Sequence, residues 1–311
     1  MDTIKSYWVE FIGERSIKVK DGESILNASL AAGIPHFHAC GGNGKCSTCR
    51  VLIKKGIGNL TPYTGKEKLL RERLRIPENV RLACQTFVVG SPVSLHRIIH
   101  DDIDIKLYIK GDSKSAIQNI GEERDLALFF LDIRNFTLFM EAYLAFDVIH
   151  VIRRLFALFR KCIEENHGRI IETAGDGFYA VFGLESTIQT AVNDAYNAGH
   201  LILNELDIFN DQYLKKYFNY EAKVGIGLHA GKVIIGNIGI GVNNNLTVMG
   251  MPVNIASRIQ AATKEVNNSF LISDSIHELL KQPPKASQMK IALKGVKDLF
   301  NIHLCGKSYS K

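Results

Sequence analysis

The sequence predicts a chain of mixed α+β and α/β class, built as two successive modules that each pack helices on a β-sheet. Three observations carry that expectation. The 311 residues exceed one ordinary core and suit two. Strand-type alternation and helical spacing recur in two separate blocks. Between the blocks, from His100 to Glu123, the texture turns polar around Gly111-Asp112-Ser113-Lys114-Ser115, as a connection would. The expected divisions are a domain over 1–100, a linker over 101–121 and a domain over 122–311.

In the first module, 3–12 and 16–20 read as strands joined at Gly13-Glu14-Arg15, and Ser24 to Ala32 reads as a helix closed by Gly33-Ile34-Pro35. A loop rich in Gly and Cys follows. Val51 to Lys54 is a strand, and Gly65 to Arg75 carries Leu69, Leu70 and Leu74 at helical spacing. Val80 to Val89 and Val93 to Ile98 are strand-like.

In the second module, a strand over 126–133 precedes a long amphipathic helix over about 144–165. Strands 169–173 and 178–182 form a hairpin around Ala174-Gly175-Asp176-Gly177, and a helix covers about 187–205. Strands at 222–229 and 232–235 lead to a helix from Val253 to Ala262 and a last strand pair near 289–304.

Composition narrows the function classes. With 46% hydrophobic and 23% charged residues and only 7 prolines, the chain has the texture of folded domains rather than disorder. The start, Met1 to Trp8, lacks the apolar core of a signal peptide, and no run reaches the ~18 apolar residues of a spanning helix. A cytoplasmic protein with no membrane partner is therefore expected. Residues 1–100 hold 15 Lys and Arg against 8 Asp and Glu, a net of +7, while the rest hold 23 against 24, a net of −1. Lys66, Lys68, Arg71, Arg73 and Arg75 read as the solvated face of a short helix, so no nucleic-acid partner is expected.

Six cysteines in a reducing compartment point to metal or redox chemistry before disulfides. Cys40, Cys46 and Cys49 share one loop, Cys40-Gly41-Gly42-Asn43-Gly44-Lys45-Cys46-Ser47-Thr48-Cys49, and Cys84 follows in Leu82-Ala83-Cys84-Gln85-Thr86. Four thiolates are what a [2Fe-2S] cluster requires, whereas a zinc site normally uses two short pairs. The glycines let the loop curl and bring backbone N–H groups to the sulfurs. His36 and His38 read as loop residues, and Cys162 and Cys305 as small apolar ones. Residues 1 to about 100 resemble a ferredoxin of the adrenodoxin-like spacing, one residue longer in the first gap than the plant type. The resemblance implies a β-grasp [2Fe-2S] domain. Its positive charge departs from acidic electron carriers, which favours a resident sensor over a shuttle and leaves a redox partner for the cluster open.

The strand Leu126 to Ile133 ends in Asp132, and Asp176 lies at the tip of the later hairpin. Two aspartates on neighbouring strand ends, with a carbonyl such as that of Ile133, make the oxygen set that Mg²⁺ prefers. Asn254 and Arg258 stand four apart, hence on one helix face, where an amide and a guanidinium suit ribose and phosphate.

Residues 122–305 resemble the class III adenylate/guanylate cyclase catalytic domain. The matching elements are Leu131-Asp132-Ile133-Arg134-Asn135-Phe136-Thr137, Glu172-Thr173-Ala174-Gly175-Asp176-Gly177, Val224-Gly225-Ile226-Gly227-Leu228-His229-Ala230-Gly231, Val253-Asn254-Ile255-Ala256-Ser257-Arg258, and Leu293-Lys294-Gly295-Val296-Lys297. The resemblance implies a ferredoxin-like βαββαβ palm. It implies Asp132 and Asp176 as ligands of two Mg²⁺ or Mn²⁺ ions per site, Asn254 orienting the ribose, Arg258 stabilising the transferring α-phosphate and Lys294 contacting the triphosphate. It also implies a head-to-tail homodimer whose sites take residues from both chains. Met251 stands where an acidic residue is common.

Base selection in the family falls here on Glu172 and Thr247. Glu accepts from guanine N1–H and the 2-amino group, and Thr serves either purine, so the substrate is ATP or GTP, with hydrogen-bond matching on the side of guanine. The expected reaction makes a 3′,5′-cyclic nucleotide and pyrophosphate, under control of the cluster's redox state. The alternative is an electron-transfer or redox-scaffold protein whose cyclase domain is catalytically silent. The full set Asp132, Asp176, Asn254 and Arg258 weighs against it, since a scaffold has no use for these groups.

Overall fold

The computed structural model describes residues 5–100, 121–236, 246–296 and 298–309; the expected linker lies outside them apart from Gly121. The chain divides into two compact units, Met1–Ile120 and Gly121–Lys311. Among the described residues, no helix is long and apolar enough to cross a membrane.

The first unit contains β1 (Ser6–Phe11), β2 (Arg15–Lys20), α1 (Ile25–Ala31), β3 (Arg50–Lys55), α2 (Gly65–Leu74), β4 (Val80–Leu82) and β5 (Val93–Arg97). Its sheet runs β2-β1-β5-β3-β4, with β1 and β5 parallel and the other pairs antiparallel. On β1 the alternation is strict: Tyr7, Val9 and Phe11 are buried while Ser6, Trp8 and Glu10 are exposed, so one face makes the core. Ser24 and Thr64 cap α1 and α2, each side chain accepting the backbone N–H three residues on.

Two expectations need correction here. The strand read over 80–89 stops at Leu82, because Thr86 Oγ1 donates to Leu82 O (2.8 Å) and folds Ala83–Gln85 into a tight turn. Arg71 is half-buried rather than free on a solvated face: it donates to the carbonyls of Val80 (2.6 Å), Ile76 (3.1 Å) and Pro77 (3.1 Å) and stacks 4.1 Å from the Tyr63 ring. Beside it Arg81 meets Glu67 through two 3.0 Å bonds, with both side chains buried. Glu67 also accepts from Leu82 N (2.9 Å), so the pair fixes α2 to the strand that leads to Cys84.

The second unit carries β6 (Glu122–Ile133), α3 (Phe136–Ala142), α4 (Ala145–Glu165), β7 (Arg169–Ala174), β8 (Gly177–Phe182) and α5 (Ile188–Phe209). It continues through α6 (Lys215–Phe218), β9 (Val224–Gly236), β10 (Thr247–Met249), α7 (Met251–Ala262), β11 (Phe270–Ser273), α8 (Asp274–Leu279), β12 (Ser287–Ala292) and β13 (Leu299–Leu304). The sheet runs β12-β13-β11-β9-β6-β8-β7, with β10 added to β9. The two strands expected over 222–229 and 232–235 form one, Val224–Gly236; Gly231 stays in register opposite Leu126 and does not interrupt it. The helix expected over 187–205 runs on to Phe209 and continues into a π-helical turn, Asn210–Leu214.

Burial on β6 explains where its end points. Ala127, Phe129, Leu131 and Ile133 enter the main core with α4 and α5, while Leu126 and Leu128 bury on the opposite face. Phe130 and Asp132 share that second face but are only half-buried, because the covering layer stops short of them. That layer is α7, and glycines on β9 let it sit directly on the sheet. A Cβ at Gly227 would lie 2.6 Å from Gln260 Cα, and one at Gly231 would lie 2.7 Å from Pro252 Cγ.

Candidate active site and cluster loop

The second face of the sheet and the flank of α7 enclose a cleft of about 410 Å³. Phe130, Asp132, Glu172, Tyr179, Asn254 and Ser257 line it. Asp132 and Asp176 come together because β6 and β8 pair in register, Asp132 opposite Gly177, and Ile133 N donates to Asp176 O (3.2 Å). Burial first, and the neighbouring Asp176 charge second, push the Asp132 carboxyl above its ordinary value, against the pull of Lys264 and Arg134. Two carboxyls held this close repel each other unless a cation sits between them. This donor set therefore fits a divalent metal.

A bulge in β7 between Ile170 and Glu172 sets Glu172 opposite Tyr179. The Tyr179 ring stacks on Phe130 with centroids 5.0 Å apart and planes at 10°. Burial, then the Glu172 charge, raise the Tyr179 phenol, against a weaker opposing pull from the backbone of Val248, the residue after Thr247. One aromatic residue thus links the strands that carry Glu172 and Thr247.

Arg258 and Lys294 do not line this cleft. The Arg258 guanidinium lies instead against the loop that carries Lys294, since a Cβ on Gly295 would lie 3.4 Å from Arg258 Nη2. Arg258 Nη1 is buried and finds no acceptor among the described residues. A buried donor without a partner beside an exposed lysine fits an anion.

In the first unit the cysteine loop forms two thiol pairs. Cys49 Sγ lies 3.4 Å from Cys84 Sγ, and Cys40 lies close enough to Cys46 for each thiol to shift the other's titration. Burial works to raise Cys40, yet Cys46 and the backbone N–H groups of Lys45, Cys46 and Asn43 together bring it below an ordinary thiol. Cys84 falls to about 6, chiefly through its bond from Cys49, with Gln85 and the Gly44 N–H adding to it. Gly41, Gly42 and Gly44 all take positive φ, and a Cβ on Gly44 would crowd Gln85 at 3.1 Å. Paired thiols cradled by N–H donors fit a binuclear iron–sulfur cluster, whose two irons need two ligands each. Among the described residues, no group of three or more His, Cys, Asp or Glu side chains gathers as one metal ion would need.

His36 is a loop residue but a buried one, with Nδ1 2.9 Å from Ser29 Oγ and its pKa lowered to about 3, first by burial and then by Arg97. Burial raises the Cys162 thiol to about 11 and the Cys305 thiol to about 12, as inert apolar residues.

The model of the adenylate and guanylate cyclase catalytic domain matches residues 119–305. The chain belongs to this family. The model of the 2Fe-2S iron-sulfur cluster binding domain matches residues 10–89, so the cyclase domain is fused to a ferredoxin-like one. The chain is 31% identical over 197 residues to an adenylate cyclase of Anabaena cylindrica, covering 61% of this chain and 38% of that protein. It is also 31% identical over 158 residues to an uncharacterized protein of Mycobacterium tuberculosis, covering 50% and 28%. It therefore spans well under half the length of these relatives. Among solved structures, the guanylyl cyclase Cya2 is similar at a TM-score of 0.54 and 26% identity, over 59% of this chain and 92% of that one. The adenylyl cyclase CyaB of P. aeruginosa shares the fold at a TM-score of 0.56 and 24% identity, over 60% and 96%.

Proposed function

We propose that the chain is a cytoplasmic purine nucleotide cyclase that converts ATP or GTP to the 3′,5′-cyclic nucleotide and pyrophosphate, working as a homodimer. The ribose 3′-oxygen attacks the α-phosphorus, the bond from that phosphorus to the pyrophosphate oxygen breaks, and the hydroxyl proton leaves. The observation that carries this reading is the meeting of the Asp132 and Asp176 carboxylates at the rim of a cleft that also holds Glu172 and Asn254. Asp132, Asp176 and the Ile133 carbonyl would hold two Mg²⁺ or Mn²⁺ ions, which activate a hydroxyl and neutralise a triphosphate. Asn254 orients the ribose, Arg258 takes the charge that develops on the α-phosphate, and Lys294 holds the triphosphate. The separation of Arg258 and Lys294 from the cleft supports a site completed by a second chain in head-to-tail arrangement. The test is cyclase activity with Mn²⁺ and each nucleotide in turn. Failure to cyclise either one would favour the silent scaffold instead.

Glu172 supports GTP, because a carboxylate accepts from guanine N1–H and the 2-amino group. Glu172→Lys should raise the ATP/GTP ratio of kcat/KM by roughly tenfold or more, the effect of exchanging one buried hydrogen bond of 1 to 3 kcal/mol. An unchanged ratio would mean that Glu172 does not face the base.

We infer further that the ferredoxin-like domain regulates turnover through the cluster's redox state. Phosphoryl transfer consumes no electrons, so a fused cluster reads best as a sensor, and a coupling of about 1 to 3 kcal/mol is enough. Anaerobic activity should differ by roughly 5- to 150-fold between oxidised and dithionite-reduced protein. Equal rates below and above KM would make the cluster a structural staple.

A further inference from the structure

Behind the Asp132 strand end lies a residue to which the proposed reaction gives no role. Tyr309 is half-buried, and its hydroxyl donates to the carbonyl of Val224 (2.9 Å). Val224 pairs with Ile133 in the sheet, and the next carbonyl back, that of Lys223, accepts from Arg134 N (2.7 Å). The same Tyr309 ring lies 4.2 Å from the Arg134 guanidinium, within cation–π range. Arg134 Nη1 is buried with no partner among the described residues, and the guanidinium charge also acts on the Asp132 carboxylate.

The segment that delivers Tyr309 is itself tied down. Ser269 N donates to Lys307 O (2.9 Å), Lys307 N to Ser269 Oγ (3.0 Å) and Tyr309 N to Asn267 Oδ1 (3.2 Å). Tyr309 therefore arrives on a braced strap and grips two neighbours of one short stretch, Asp132-Ile133-Arg134, from behind.

We propose that Tyr309 is a positioning residue for the metal-binding end of β6. Its ring fixes Arg134 and its hydroxyl fixes the backbone opposite Ile133, so that the Asp132 carboxylate and the Ile133 carbonyl present their oxygens in one array. This rests on reading Asp132 as a metal ligand. Partners placed behind metal ligands orient them, and their loss costs affinity without unfolding the site.

The test uses the full chain with its cluster loaded. Mn²⁺ alone is titrated and followed by electron paramagnetic resonance, alongside the metal activation constant, kcat and the melting temperature. Tyr309→Leu should weaken Mn²⁺ binding roughly tenfold, the low end of the range for loss of such a partner, and raise the activation constant to match. Tyr309→Phe keeps the ring on Arg134 and should recover most of the affinity. Arg134→Gln should reproduce the part of the Leu defect that comes from the ring contact, and combining it with Tyr309→Leu should cost less than the sum of the two, since both remove that contact. If Tyr309→Leu melts below the assay temperature, Arg134→Gln carries the test alone. Wild-type Mn²⁺ affinity in Tyr309→Leu and Arg134→Gln, while Asp132→Ala has lost it, overturns the role of Tyr309 and leaves the site reading intact. Wild-type affinity in Asp132→Ala sinks both.

Discussion

Asp132→Ala, Asp176→Ala and Arg258→Ala chains should each fold and each be inactive, and a mixture of the Asp132→Ala and Arg258→Ala chains should turn over again. Arg258→Ala should cost roughly 10³- to 10⁵-fold in kcat, the worth of an arginine that stabilises a transferring phosphoryl group. Loss of either carboxylate should be comparable, since it removes the hold on the metal. Folding is spared because Asp132 is only half-buried and Arg258 Nη1 has no partner to lose. Recovery follows from the proposed symmetry: a mixed dimer has one site carrying both lesions and one carrying neither. With random pairing, half the dimers are mixed and each keeps one of two sites, so the mixture should reach about a quarter of the wild-type rate. A mixture that stays inactive although mixed dimers form would show that each site is built from a single chain. The separation of Arg258 and Lys294 from the Asp132 cleft would then need another explanation.

The sequence made the second unit legible where pattern and spacing are local. The long helix appears as Ala145–Glu165 and the hairpin around Asp176 is in place, because amphipathic period and turn residues are properties of a short window. Phe270–Ser273 escaped because all four residues are buried, so its two faces give no alternation. Val224–Gly236 reads as two strands because Gly231 looks like punctuation, whereas its place in the fold is to admit Pro252 from α7. Asp132 could be chosen from its strand end and Asn254 from its helix spacing, whereas Glu172 came only with the resemblance to the cyclase family. Their shared cleft, and the Tyr179 stack on Phe130 that links Glu172 to Thr247, depend on the register of strands far apart in sequence. Glu67 and Arg81 were invisible for the same reason. Each is an ordinary surface residue by type, and only their two-bond contact lets both be buried.

In the ferredoxin-like domain, replacing Cys40, Cys46, Cys49 or Cys84 by Ser should abolish the visible absorbance and the bound iron, while Cys162→Ser and Cys305→Ser should keep both. The two thiol pairs give the reason: each iron of a bound cluster would draw on one pair, so one lost thiolate would leave an iron with a single protein ligand. The effect should be strongest at Cys49 and Cys84, whose burial limits the access of any replacement ligand from solvent. Cys162 and Cys305 belong to the other unit, and burial keeps both thiols well above the range in which a thiolate forms at neutral pH. Iron content per chain, measured beside the absorbance, separates a lost cluster from a bleached one. Loss of iron on changing Cys162 or Cys305 would refute the assignment. Retention of full iron in Cys84→Ser would mean that a ligand outside the four cysteines completes the second pair.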